Sequence, residues 1–125
     1  MHVYEYATIR LVPRVEREEF INLGVVLFCK RARFLDLRFH VRRARVRAFA
    51  PDVSWLEVES YLDAWQRIAR AAPDGGLLAT LDAPNRFRWM TNARSTILQC
   101  SPVRQGMTND PAAMLERLFE MMVAE

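Results

Sequence analysis

The chain has 125 residues, of which 51% are hydrophobic, and its formal net charge is +3. This length and apolar share predict one folded domain over residues 1–125 with a single core. No run of 18 apolar residues occurs, which excludes a membrane-spanning helix. Residues 1–5 lack the layout of a signal peptide and the two cysteines lack metal-ligand spacing, so we expect a cytoplasmic protein without bound metal.

Residues 4–41 contain three short apolar-rich segments separated by charged connectors, which is the pattern of an antiparallel β-meander. In the third segment every second residue from Leu35 to Val41 is apolar, which predicts a strand with one buried and one wet face. The second segment, residues 24–29, is apolar without a break and therefore favours a central strand covered on both faces.

The connector at residues 14–19 carries five charges in six residues. A solvated turn is one interpretation, because exposed ion pairs contribute little to stability. A polar site at one end of the sheet is the other, since loops on a rigid scaffold often carry such sites.

Residues 30–47 hold eight basic residues and a single acid, and arginine outnumbers lysine seventeen to one in the chain. A genome bias toward arginine codons explains that ratio without any function. The functional alternative is a cationic surface for an acidic partner or nucleic acid, because guanidinium groups bind phosphates in a bidentate manner. Its candidate residues are Arg42, Arg43, Arg45 and Arg47.

Two helices are predicted beyond the meander. Ser54 and Glu57 have the spacing of a capping box, and they begin an amphipathic helix that ends before Pro73. Asp110 and Pro111 begin the last helix. Residues 86–90, if extended, place their two arginines on one side of a strand and their two aromatic residues on the other. Residues 95–99 are predicted to add a strand. The fold class is therefore α+β, with an antiparallel meander sheet of three to four strands covered by two amphipathic helices.

Two long motifs resemble an uncharacterised bacterial domain family, one of the catalogued domains of unknown function. YEYATIRLVPRVEREEFINLGVVLF is similar to the opening of that family, and RFRWMTNARSTILQCSPVRQGMTNDP is similar to its second motif. Both occur in order, so the resemblance covers essentially the whole chain. It implies no settled activity. It does imply a HipA-like kinase as the partner, because genes of the family tend to lie beside genes for such kinases.

The sequence contains no recognised catalytic motif. It has no H-E-x-x-H, Walker A loop or G-x-G-x-x-G, and its two histidines have no nearby nucleophile in sequence. We therefore predict no catalytic residues and no cofactor, and we favour a non-enzymatic protein.

Polar residues are divided between the two family-like motifs. If the later segment pairs beside the first hairpin, they converge into a pocket for a phosphate, a nucleotide, a carboxylate or a partner. Alternatively, buried hydrogen bonds from these residues only hold a loop against the sheet. The candidates are Arg10, Arg17, Glu19, Asn22, Arg86, Arg94, Ser95, Thr96, Gln99, Ser101 and Arg104.

Three functions follow from these features. The first is an interaction or accessory protein, for which pairing of sheet edges into a homodimer is an open alternative. The second is a nucleic-acid binder that uses the arginines of residues 42–47. The third is a ligand sensor or an enzyme built on the divided polar residues.

Overall fold

The computed structural model describes residues 1–92 and 96–124. Within them, five strands and four α-helices confirm the α+β class. The strands are β1 (His2–Leu11), β2 (Ile21–Cys29), β3 (Phe34–Phe39), β4 (Leu98–Cys100) and β5 (Arg104–Thr108). The helices are α1 (Arg43–Phe49), α2 (Trp55–Ala69), α3 (Ala83–Thr91) and α4 (Pro111–Phe119), and a π-helical turn (Glu120–Ala124) follows α4.

The antiparallel sheet is organised around β1. β2 pairs along one side of β1 and β3 follows β2, as the meander pattern predicts. Along the other side, β5 pairs with residues 2–6 of β1 and β4 pairs with residues 9–11. The sheet therefore has one outer edge formed by β3 and another formed by β4 and β5.

Helices cover both faces of the sheet, which explains the unbroken apolar run of β2. Val26 and Phe28 pack in a cluster with residues of α1, α2 and α3, whereas Val25 and Leu27 pack with α4 on the opposite face. Because successive strand residues point to opposite faces, a strand between two helical layers needs apolar side chains throughout. The prediction of a central, doubly covered strand is confirmed.

The two predicted helices begin at their predicted caps. Ser54 Oγ accepts a hydrogen bond from the Glu57 N–H (3.3 Å), and the Asp110 carboxylate accepts one from the Ala113 N–H (3.1 Å). α2 and α4 lie on opposite faces of the sheet, and α1 and α3 join the layer of α2.

Residues 86–90 are helical rather than extended. Asp82 accepts a hydrogen bond from the Asn85 N–H (3.0 Å) and Pro84 lies in the first turn of α3, both of which favour a helix start. Helical spacing buries Phe87 and Met90. The alternation of arginine and aromatic residues misleads because a five-residue pattern also fits a turn and a half of helix. The strand predicted at residues 95–99 is present as β4 from Leu98 onward.

Candidate functional site

β1 brings candidate residues from both motifs onto neighbouring strands. Arg10 lies opposite Asn22 of β2 on one side and opposite Gln99 of β4 on the other. Ser101 follows β4, and its Oγ accepts a hydrogen bond from the Thr8 N–H (2.9 Å). Pairing of the later segment beside the first hairpin therefore places these residues on neighbouring strands, while their convergence into a ligand pocket stays a prediction. Arg10, Asn22 and Gln99 form what we name the polar row.

Hydrogen bonds satisfy the polar row only in part. Asn22 Nδ2 donates to the Met122 carbonyl (3.2 Å), while Asn22 Oδ1 is buried without a partner in the described chain. The Arg10 guanidinium lies 3.9 Å from the centre of the Phe20 ring, and its buried Nε likewise finds no partner among the described residues. An unpaired buried polar atom costs about 1–3 kcal/mol. The row thus contains one buried donor and one buried acceptor that no described residue satisfies.

Arg17 and Glu19 lie apart from the polar row. They form an exposed ion pair with each other and line a cavity of about 320 Å³ together with Phe49 and Val53. A short 3₁₀ turn and the left-handed backbone of Glu18 (φ 56°) redirect the chain before β2 begins. These two candidates therefore face the α1–α2 loop, and their exposed pair contributes little to stability.

The remaining candidates are spread over the sheet and α3. Arg86 lines a second cavity at the β2–β3 turn, and Arg104 begins β5. Thr96 Oγ1 donates to the Leu98 carbonyl (2.8 Å), so Thr96 shapes the approach to β4. Arg94 and Ser95 lie outside the described residues.

α1 distributes the four arginines of the proposed nucleic-acid surface around its axis. At about 100° per residue, Arg43 and Arg47 share one side of the helix and Arg45 lies roughly opposite. Arg42 donates to a backbone carbonyl of the C-terminal turn, and the Arg43 guanidinium lies 4.1 Å from the centre of a Trp55 ring. The four arginines therefore do not form one continuous stripe along the helix. Nucleic-acid binding by these residues stays a prediction.

Tyr4 is the described residue whose pKa shift is resolved. Burial raises the pKa of Tyr4 above its ordinary value of 10.0; Tyr6 adds to the rise and Arg117 opposes it. The Tyr4 phenol therefore stays protonated near neutral pH. Residues 1–92 and 96–124 contain no group of three or more His, Cys, Asp or Glu arranged to hold a metal ion. None of the helices described there is long and apolar enough to cross a membrane.

α2 blocks the middle of the outer edge of β3, at Leu37. Gln66 Nε2 donates to the Leu37 carbonyl (2.9 Å), and the Leu37 N–H donates to Asp36 Oδ1 (2.8 Å). Arg70 Nε in turn donates to Asp36 Oδ1 (2.9 Å). Free N–H and C=O groups at a sheet edge are a template for another strand. Because both backbone groups of Leu37 are occupied, a strand added here would have to break these bonds.

The edge at β5 is open within the described chain. β5 pairs there with β1 alone, and Val3 and Met107, which face each other across that pair, are 52% and 55% exposed. Gly106 lets β5 approach Tyr4 closely, because a Cβ at Gly106 would overlap the Tyr4 ring. Our sequence reasoning missed this strand, since its five residues show neither alternation nor an apolar run. A glycine between extended residues was the one available signal.

Residues 6–123 match the model of a family described as protein of unknown function (DUF3037). The chain belongs to the DUF3037 family. No curated protein and no solved structure matches this DUF3037 chain. The matched residues include the polar row, both sheet edges and the two cavities.

Proposed function

We propose that this DUF3037 chain is a non-enzymatic interaction protein that binds an extended segment of a partner protein along β5. The observation that carries the proposal is the unequal treatment of the two sheet edges. α2 and the Asp36–Arg70 pair close β3, whereas the described chain leaves β5 uncovered.

The chemistry of β5 suits strand addition. In that mode the backbone hydrogen bonds supply affinity, and alternate side chains of the added strand supply specificity. Val3 and Met107 place two exposed apolar side chains on one face of the sheet beside this edge. Exposed apolar side chains beside an unpaired edge favour aggregation unless a partner covers them. The segment bound here should therefore carry apolar residues at alternate positions.

A second copy of the chain fits this edge less well than such a segment. In a two-fold pairing centred on Gly106, Met107 of one copy would face Gln105 of the other. That pairing would set an apolar side chain against an amide. We therefore propose a partner of different sequence, with the homodimer as the competing outcome.

The proposed partner is a HipA-like kinase, and the proposed setting is the cytoplasm of a bacterium. The family resemblance supports the kinase. Cys29 is a buried thiol outside any disulfide, which is consistent with a reducing compartment. Regulation of the kinase by strand addition would require no catalytic group on this chain.

The test compares Met107→Lys with Met121→Lys, since the two methionines are similarly exposed (55% and 59%) and only Met107 lies on β5. Tagged wild-type and variant proteins are used for affinity purification from native lysate after nuclease and high-salt treatment. A charge on the edge strand opposes strand pairing. We expect a stoichiometric kinase to copurify with wild type and Met121→Lys but not with Met107→Lys, and to slow hydrogen exchange of the β5 amides.

Other outcomes would overturn the proposal. Equal recovery of the partner with Met107→Lys, or protection of amides outside β5, would place the interface elsewhere. A purified wild-type dimer that Met107→Lys converts to a monomer would assign the edge to self-association. Nucleic acid recovered in place of a protein, and lost in high salt, would favour the arginines of residues 42–47.

A further inference from the structure

A cavity of about 390 Å³ lies at the β2–β3 turn, between the end of α2 and the beginning of α3. Phe28 and Leu35 contribute apolar surface to it. Among the described residues its charged lining is entirely basic, and no acidic side chain lines it. The basic members are Lys30, Arg33, Arg70 and Arg86.

Three of these four cations lack a counter-charge. Within the described residues, Lys30, Arg33 and Arg86 form no ion pair. One terminal N–H of Arg86 donates to the Leu81 carbonyl. The Arg86 Nε is buried and has no partner among the described residues. Like charges gathered without compensation repel one another, and an anion placed among them would relieve the repulsion.

Arg70 is the fourth cation, and it is only partly engaged. It holds Asp36 through Nε and one terminal nitrogen, at 2.9 and 3.4 Å. A guanidinium has five N–H donors in a fixed fork, so donors remain after this pair has formed. Arg70 can therefore contribute to the cavity without releasing β3.

Arg33 closes the β2–β3 turn in a left-handed backbone conformation. Its φ is 53°, in the left-handed region, and its N–H closes the turn by donating to the Lys30 carbonyl (3.1 Å). A non-glycine residue costs about 1 kcal/mol there relative to glycine. Glu18 and Ala71 share this left-handed conformation, so it defines the geometry of the turn without by itself assigning a role to the Arg33 side chain.

The other large cavities do not share this character. The one beside the α1–α2 loop sets Glu19 and Asp52 against its two arginines. In the one beside α4, Arg38 pairs with Glu116 (2.8 Å) and Arg42 binds a backbone carbonyl. A fourth cavity, of about 410 Å³ beside α2, sets Glu59 and Asp63 against Arg67. The cavity at the β2–β3 turn thus has the least compensated positive charge of the four.

We propose that this cavity binds the phosphate group of a small organic phosphate, such as a nucleoside monophosphate. Lys30, Arg33 and Arg86 contact the phosphate, since guanidinium and ammonium groups form short, charge-assisted hydrogen bonds with it. The ring of the ligand packs on Phe28 and Leu35. The volume lies within the usual range for small-molecule sites, about 300–1,000 Å³. β1 and β2 separate this site from β5, so it stands independently of the strand-addition proposal.

Isothermal titration calorimetry with adenosine monophosphate, inorganic phosphate and adenosine tests the proposal. Lys30→Gln and Arg33→Gln each remove one charge from the cavity. Arg31→Gln is the matched control, because Arg31 is exposed in the same turn and does not line the cavity. We expect adenosine monophosphate to bind wild type more tightly than inorganic phosphate and adenosine do. Each cavity variant should weaken that binding about tenfold or more, and the control less than about twofold.

Each of the following results would overturn part of the phosphate-site proposal. No binding of adenosine monophosphate or phosphate to wild type removes the site. If Arg31→Gln weakens the binding of adenosine monophosphate as much as the cavity variants do, the binding reflects the overall positive charge of the turn and not a specific site. If adenosine binds as tightly as adenosine monophosphate, the phosphate group contributes no binding energy and the proposed phosphate contacts are wrong. An oligonucleotide that binds more tightly, with a steep salt dependence, assigns the charges to nucleic acid. Thermal melting of every variant identifies losses caused by unfolding.

Discussion

The side-chain amide of Gln66 donates to the carbonyl of Leu37 across 2.9 Å, and this bond joins α2 to the outer edge of β3. A sheet with two free edges can accept a further strand on either side. Here Gln66 and the Asp36–Arg70 pair close one side, while β5 stays exposed in the described chain. The proposed strand addition would therefore use the β5 side of the sheet.

Gln66→Ala leaves the Leu37 carbonyl unpaired and uncovers β3. We expect the free energy of unfolding to fall by about 1–2 kcal/mol and the variant to self-associate. Urea unfolding measures the first effect and light scattering the second. Gln105→Ala, at an exposed position of β5, is the control and should change stability by less than about 0.5 kcal/mol. A monomeric Gln66→Ala protein of unchanged stability would contradict closure of this edge.

Gly106→Ala forces a methyl group into the Tyr4 ring. We expect a loss of about 1–3 kcal/mol in the free energy of unfolding, because overpacking displaces the ring or β5. Tyr4→Leu removes the ring atoms that would clash, so the same glycine substitution should cost much less in that background. Chemical denaturation of the four proteins measures this coupling. Equal costs in both backgrounds would show that Gly106 serves another purpose.

Arg33→Gly replaces a left-handed arginine with the residue that this conformation favours. We expect stability to rise by about 0.5–1 kcal/mol and phosphate binding to weaken. Ala71→Gly is the matched control, since Ala71 has the same φ of 53° without a charge. It should stabilise the protein and leave binding unchanged. Thermal melting and calorimetry measure the two properties, and weaker binding in both variants would refute a specific role for Arg33.

Tyr4→Phe should reduce the pH dependence of stability at alkaline pH. The pKa of Tyr4 is raised above 10.0 in the folded protein, so the unfolded chain loses this proton at a lower pH. Above the Tyr4 pKa of the unfolded chain, the unfolded state binds fewer protons than the folded state. The free energy of unfolding therefore falls as the pH rises toward the folded-state pKa. Urea unfolding across this range measures the slope. Tyr61→Phe, at an exposed tyrosine, controls for the loss of one phenol; identical slopes in wild type and Tyr4→Phe would count against the burial effect.

Thr8→Val tests whether the polar atoms beside the polar row reduce stability. Thr8 is buried, and its Oγ1 has no partner in the described chain. A methyl group of the same shape should raise the free energy of unfolding by about 1 kcal/mol. Thr108→Val is the opposite case, since the Thr108 hydroxyl exchanges hydrogen bonds with the Asp110 backbone (3.0 and 3.1 Å). That substitution should destabilise, and loss of stability in both would indicate that Thr8 is satisfied in solution.

The elements predicted from sequence are those with a strong apolar pattern. β3 is recognisable because apolar residues alternate along it, β2 because its apolar run is unbroken, and α2 and α4 because caps precede an apolar stripe. α3 is short and buries only Phe87 and Met90, too few to distinguish helical from alternating spacing. β5 is mostly exposed, so hydrophobic patterning does not reveal it.

Strand pairing is what brings candidate residues of the two motifs next to one another. Arg10, Asn22 and Gln99 meet because β1 lies between β2 and β4. Arg17 and Glu19 belong to the same motif, yet the backbone of Glu18 turns them toward the α1–α2 loop. Local backbone geometry of this kind is set by a few dihedral angles that a residue pattern does not specify.

The position of β1 has a consequence for how the chain folds. Thr8 and Ser101, which share a hydrogen bond, are 93 positions apart in sequence. Closing so long a loop costs entropy before the contact is gained, which slows folding. We expect β1, β2 and β3 to assemble early, while one flank of β1 waits for β4 and β5. Until β4 and β5 pair with it, this flank of β1 is bare, so we expect the partly folded chain to aggregate more readily than the finished protein.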